Sequence, residues 1–266
     1  MPSVRRLLKP LLLSCLLLSP DLSDAADVTK PAAVTLTLLS SAGIIGAIQA
    51  VAPEYEKLTG VRVKVQPAAS LGQSPQAIPQ RLDRGEPADI VLMVGSGLDR
   101  LVAQGQVDKD TRVDLGKAFI AMAVREGTPK PYIGTLAAFR QTLIDADSVA
   151  YSDGISGAYL SHWLFVNMKL APRFLARSRM ISTEPVAAAV ARGDAWLGLE
   201  QLSQLKLVSG IDIVGLIPDS VQQMTLYAGA VVKGSAHPAQ AKALLDYLGS
   251  EKARDAIERS GLAAVH

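Results

Sequence analysis

Cysteine is almost missing from this 266-residue chain, which holds one thiol, Cys15. That residue lies in an N-terminal segment with the order of a secretory signal peptide. Arg5, Arg6 and Lys9 precede the apolar run from Leu11 to Leu18, and Ser23-Asp24-Ala25 offers small residues for cleavage after Ala25. The apolar run is too short to span a bilayer, and its continuation past Cys15 argues against a lipidated cysteine. With residues 1–25 removed, no cysteine is left, so disulfides and thiolate chemistry are excluded.

Histidine is scarce as well. His162, His237 and His266 stand far apart without metal-ligand spacing, and neither a metal nor another cofactor is expected. There is no Gly-x-Ser-x-Gly nucleophile elbow. Gly154-Ile155-Ser156-Gly157 is not a phosphate loop, because no Lys-Ser or Lys-Thr pair follows it. The formal net charge is +2 and Lys and Arg form no runs, which leaves no basic patch for nucleic acid. No later segment approaches about 18 uninterrupted apolar residues, so the exported chain is expected to be soluble.

What remains is a regular alternation. Val34–Leu39 reads as a strand, Ile44–Leu58 as a helix interrupted by Pro53, and 61–65 as a strand of period two. A helix over 77–84, the apolar strand 90–94 and a helix over 98–104 follow. Later segments repeat the pattern: strand 119–124, helix 136–144, a strand ending at Val149-Ala150, and a buried helix over 158–166. Helix 186–192, strands 196–199, 211–216 and 224–232, and helices 239–248 and 251–260 complete it. Strand and helix at this spacing predict an α/β fold of βαβ units, with ligands gathering beyond the carboxyl ends of the strands. The chain crosses between two halves near 115–125 and returns near 222–230. The expected organisation is a signal peptide over 1–25, one lobe from 34–115 plus 225–266, and a second lobe from 118–222.

Four turns rich in Ser, Thr, Gly and Pro each precede a helix: 40–43, 70–75, 151–157 and 182–185. First-turn N–H groups have no intrahelical partner, and the helix dipole adds to their attraction for an anion. Two turns from each lobe would face one another across a cleft and hold a small anion. Three charged residues join them as candidates. Arg81, in the helix after the second turn, and Arg125, ending an apolar strand, are read as bidentate carboxylate clamps. Glu200 follows another apolar strand beside Gln201 and, if desolvated, is a proton acceptor.

With these turns laid out, the mature chain resembles the periplasmic molybdate-binding proteins and their type II solute-binding relatives. The resemblance rests on Tyr55-Glu56-Lys57 before Val61, on Arg84-Gly85-Glu86-Pro87-Ala88-Asp89 running into a strand, and on Ala241–Leu248. It implies a two-lobed type II periplasmic-binding-protein fold, each lobe a mostly parallel sheet flanked by helices, with the ligand cleft between them. The family's oxyanion site implies serine donors at Ser40 or Ser41, with Gly43 at the aligned position, and at Ser70 or Ser74 in a turn that includes Gly72. It implies amide donors at Ser156-Gly157 and Pro185-Val186, and it places Gln201 where a binding tyrosine would stand. These departures favour a larger, carboxylated ligand over molybdate.

The branch of the family that includes aconitate isomerase resembles this chain through Ala150 to Gly157 and Gln76 to Leu82. The expected function is that of an exported, monomeric solute-binding protein that closes on a small anion and serves an ABC-type permease. The alternative is an isomerase, with Tyr151 or Glu200 as the base and Arg81 and Arg125 as clamps.

Overall fold

Ile90-Val-Leu-Met-Val94 is apolar at every position because both faces of that strand are covered. Ile90, Leu92 and Val94 pack into one core cluster, Val91 and Met93 into another, as the alternation of a strand requires. The computed structural model describes residues 33–265. The expected signal peptide and Cys15 lie outside them.

Eleven strands form two sheets among the described residues. The first contains β1 (Thr35–Ser40), β2 (Arg62–Pro67), β3 (Ile90–Val94), β4 (Val113–Ala118), β10 (Thr225–Val231) and β11 (Ala263–Ala264), in the order β11-β4-β10-β3-β1-β2. The second contains β5 (Ile120–Arg125), β6 (Val149–Ser152), β7 (Ser178–Ile181), β8 (Leu197–Gln201) and β9 (Ile211–Leu216), in the order β7-β6-β8-β5-β9. The α/β architecture is the expected one, but the sheets are mixed. β1 pairs parallel with β2 and β3, and β6 with β7 and β8. β10 runs antiparallel to β3 and β4, and β5 antiparallel to β8 and β9.

β11 also runs antiparallel to β4, and β5 and β10, which run against β8 and β3, are the strands entered from the crossovers between sheets. The chain leaves β4 at Ala118, enters β5 at Ile120, and returns from β9 to β10. Gln222 clasps both crossings. Its Oε1 accepts from the Ile120 N–H at 2.8 Å, and its Nε2 donates to the Ile120 and Ile217 carbonyls at 3.0 and 3.2 Å. One side-chain amide thus bonds backbone groups of both passing segments, which are also joined directly by the Ile217 N–H donating to the Ile120 carbonyl at 3.1 Å.

Pro53 does not interrupt its helix, which runs unbroken over Ala42–Thr59 to a left-handed C-cap at Gly60. A proline removes one N–H, and burial of Ile44, Ile48, Val51 and Tyr55 along one face outweighs that loss. The family-like motifs are structural here. Asp89 accepts from the Thr37 N–H at 2.8 Å and the Ser235 hydroxyl at 2.6 Å, tying β1 to the loop after β10. Glu56 accepts from the Val63 N–H at 2.7 Å, joining helix to β2.

Candidate functional site

A cavity of about 650 Å³ opens where the carboxyl ends of β1, β2 and β3 approach those of β6 and β8. Three of the four expected turns line it: residues 41–43, 67–72 and 152–156. Gln201, Gln204 and Tyr227 complete its floor. The parallel strands determine this placement, because only their carboxyl ends point to the same edge of the sheet.

Ser41 is the N-cap of the helix Ala42–Thr59, yet its side chain makes no capping bond. Its hydroxyl is buried and, among the described residues, has no hydrogen-bond partner. A buried unpaired hydroxyl is costly unless something else satisfies it, and here the cavity is beside it. The first-turn amides of Ala42 and Gly43 reach the same wall. Ser40 is buried behind, bonded weakly to the Ser41 carbonyl at 3.3 Å, and does not line the cavity. Ser70 lines the cavity and accepts from the Val94 N–H at 3.2 Å. Gly72 lines it with φ of 107°, a backbone shape that favours glycine. Ser74 is exposed beyond the wall, accepting from the Gln76 N–H at 3.3 Å.

The opposite wall is the turn after β6. Gly154 caps a helix that starts three residues before the expected Ala158 and runs over 155–167 with a π turn at Leu160–Leu164. Ser156 lines the cavity and donates to Glu200 Oε1 at 2.6 Å. The same oxygen accepts from the Gln201 N–H at 2.7 Å and Gln204 Nε2 at 3.2 Å. Glu200 itself is buried one layer back. Burial holds its carboxyl above the ordinary value; hydrogen bonds from Ser152, Ser156 and the Gln201 N–H oppose the shift, and the Asp153 charge adds to it.

Gly157 is buried and packs against β6 so closely that a Cβ would lie 1.6 Å from the Ser152 carbonyl oxygen. Gly43 has a comparable role on the other side. A Cβ there would lie 2.0 Å from the Tyr227 hydroxyl and 2.7 Å from Gln201 Oε1. The missing side chain lets Tyr227, from the first sheet, donate to Gln201, from the second, at 2.7 Å. Gln204 Nε2 approaches the same Oε1 at 3.4 Å. With its oxygen engaged, Gln201 has its amide N–H groups as donors for a ligand. Burial, and then the Glu200 charge, push the Tyr227 hydroxyl well up, so it stays protonated. Tyr227→Phe is expected to lower stability by about 1 kcal/mol and weaken ligand binding severalfold, because the Gln201 amide could then turn. Denaturation midpoints and calorimetric titration check this, and unchanged affinity would show that the amide is held by something else.

The expected clamps lie elsewhere. Arg125 ends β5, which runs antiparallel to β8, so it is exposed at the edge of the sheet opposite the cavity. Arg81 is buried behind the 67–72 turn, its guanidinium bonded to Glu86, Gln66 and the Pro67 carbonyl. Its charge is already paired, and it supports the turn from behind. Tyr151 points into the second sheet's core, edge-on to Phe165 with ring centroids 5.6 Å apart; burial raises its hydroxyl. The turn 182–185 follows the edge strand β7 and is outside the cavity, with Glu184 paired to Arg192 at 2.7 Å. None of the described lining residues is Lys, Arg or His. Asp153 is their one carboxylate.

The chain matches the family described as bacterial extracellular solute-binding protein over residues 36–263, and it belongs to that family. It is 61% identical over 250 residues to the aconitate isomerase of a Pseudomonas species, with 94% of each chain covered. It is 25% identical to the molybdate-binding protein ModA of Escherichia coli strain K12, covering 85% of this chain and 88% of that one. Its fold matches the periplasmic molybdate-binding protein of Azotobacter vinelandii with a TM-score of 0.69 at 18% identity, over 87% of this chain and all of the other.

Proposed function

We propose that this protein is a periplasmic aconitate isomerase, with the solute-binding cleft serving as its active site. The observation that carries the reading is the Ser156–Glu200 pair, a buried carboxyl whose affinity for a proton is raised, in contact with a hydroxyl on the cavity wall. A protein that only binds an anion has no need of it. The 61% identity to an enzyme of that name supports aconitate as the substrate. A cavity of about 650 Å³ also suits a tricarboxylate better than a four-oxygen oxyanion.

The reaction is a 1,3-proton shift. A proton leaves the methylene carbon, and the C–H electron pair becomes the new C=C bond. The old π pair moves toward the far carbon, spread over its carboxylate, and that carbon takes up a proton. The carbon skeleton reads the same from either end, so the product is aconitate again, cis in place of trans. Ser41, the Ala42 and Gly43 amides, the first-turn amides after Gly154 and the Gln201 amide hold the carboxylates and the developing charge without formal cations. Ser156, backed by Glu200, exchanges a proton with the ligand. The two sheets close around it as lobes formed by 34–115 plus 225–266 and by 118–222.

Uptake is the second reading, favoured by the family match and the ModA relative; an ABC-type permease would then be the partner. The deciding experiment incubates the protein with trans-aconitate in deuterium oxide, followed by proton NMR. Conversion to deuterated cis-aconitate is expected. Tight binding of molybdate or an organic anion with no conversion would instead support uptake.

A further inference from the structure

An anion cavity gains nothing in affinity from an acid on its wall, yet Asp153 is there. Its charge opposes the ligand that every donor around it attracts. It stands just before the N-cap Gly154, where the helix dipole favours an acid, but it makes no capping bond. Asp153 is exposed, and among the described residues its carboxylate makes no hydrogen bond or ion pair; only its N–H is engaged, to the Ile181 carbonyl at 3.2 Å. The other acid of the site has the opposite surroundings. Glu200 is buried, holds its proton more firmly for that reason, and meets the cavity only through lining residues that donate to it, Ser156 Oγ, the Gln201 N–H and Gln204 Nε2. Two carboxyl groups in such different environments are suited to opposite halves of a proton transfer. The proton shift has two carbons to serve, and Asp153 and Ser156 are three residues apart on one wall, so both face the same side of a bound ligand.

We propose that Asp153 is the catalytic base that removes the methylene proton, an assignment that rests on the isomerase reading. The carboxylate oxygen of Asp153 takes the proton, and the C–H pair becomes the new double bond. The displaced π pair takes a proton at the far carbon from the Ser156 hydroxyl, which turns from Glu200 to the ligand for this step while the protonated Glu200 carboxyl becomes the donor and returns a proton to Oγ. Asp153 then loses its proton to water in the open cleft and Glu200 recovers one, so nothing is gained or lost over the cycle. The product's new C–H bond therefore comes from solvent on each turnover.

The test compares the full mature protein with Asp153→Asn, using trans-aconitate as the probe. The exposed site predicts an unchanged fold, and kcat should fall about a hundredfold or more. Affinity for trans-aconitate should hold or tighten, since a like charge has gone, and Asp153→Glu should recover part of the rate. Wild-type turnover in deuterium oxide should place one solvent deuteron in each product. Asp153→Asn turnover within about threefold of wild type overturns the base while leaving the isomerase reading intact. Wild-type protein that converts no trans-aconitate overturns both.

Discussion

Gly157→Ala is expected to leave a folded protein that binds its ligand at least about tenfold more weakly, about 1.4 kcal/mol. A Cβ at this position would lie 1.6 Å from the Ser152 carbonyl oxygen and 2.6 Å from its carbon, both backbone atoms that cannot rotate away. The start of helix 155–167 must therefore move off β6. That displacement separates Ser156 from Glu200, now 2.6 Å apart, and turns the first-turn amides away from the cavity. Overpacking of this kind also costs roughly 1–3 kcal/mol of stability. Titration with trans-aconitate, alongside thermal unfolding, gives both numbers. Wild-type affinity in the folded variant would mean that this wall takes no part in binding.

Glu200→Gln should reduce kcat by about a hundredfold or more while changing ligand affinity much less, because a proton-transfer group acts mainly in the transition state. Ser156→Ala should do the same, and the double variant should lose little beyond either single one, as expected of groups that work as a unit. Turnover surviving Glu200→Gln would remove this pair from the chemistry. The same substitution has a signature in stability. The Glu200 carboxyl is raised in the folded protein above its ordinary 4.5, mainly by burial. A raised carboxyl favours the fold below that ordinary value, and the advantage is lost as pH climbs through the folded value, where a buried charge must form. Glutamine has no proton to lose. The melting temperature of Glu200→Gln relative to wild type should therefore rise as pH is increased from about 4.5 upward. A flat or falling difference would show that the carboxyl ionises without penalty.

Much of the fold can be read from local pattern. β3 and β9, the helix Val186–Arg192 and both C-terminal helices fall where periodicity and turn residues put them, within a residue or so. β4, β7 and β11 escape because Val113-Asp-Leu-Gly-Lys-Ala118 and Ser178-Arg-Met-Ile181 carry polar residues, and Ala263-Ala264 is too short to show a period. Pairing with neighbours makes them strands. The two crossings between sheets are legible as well, but not the reversal of direction they bring.

That reversal explains the errors in the site. A charged residue closing an apolar strand looks the same in sequence whether the strand runs toward the cleft or away from it. Glu200 and Gln201 end β8, which runs toward it, whereas Arg125 ends β5, which runs away. Arg81 was legible as an arginine after a turn, but its partner Glu86 becomes one only when the chain folds back at Gly85. Tyr227 carries no local signal at all, since a tyrosine in an apolar strand is an ordinary core residue. Its use depends on Gly43, some 180 residues away, having no side chain.

The residues by themselves determined the alternation of strands and helices and the Ser- and Gly-bearing turns that begin helices, because those properties depend on neighbours in sequence. Tertiary structure decided which turns meet, that Glu200 is buried against Ser156, and that Asp153 faces the cavity. Strand order and direction bring those groups together, and pairing between distant segments is set by burial of both sheet faces, which no local stretch encodes.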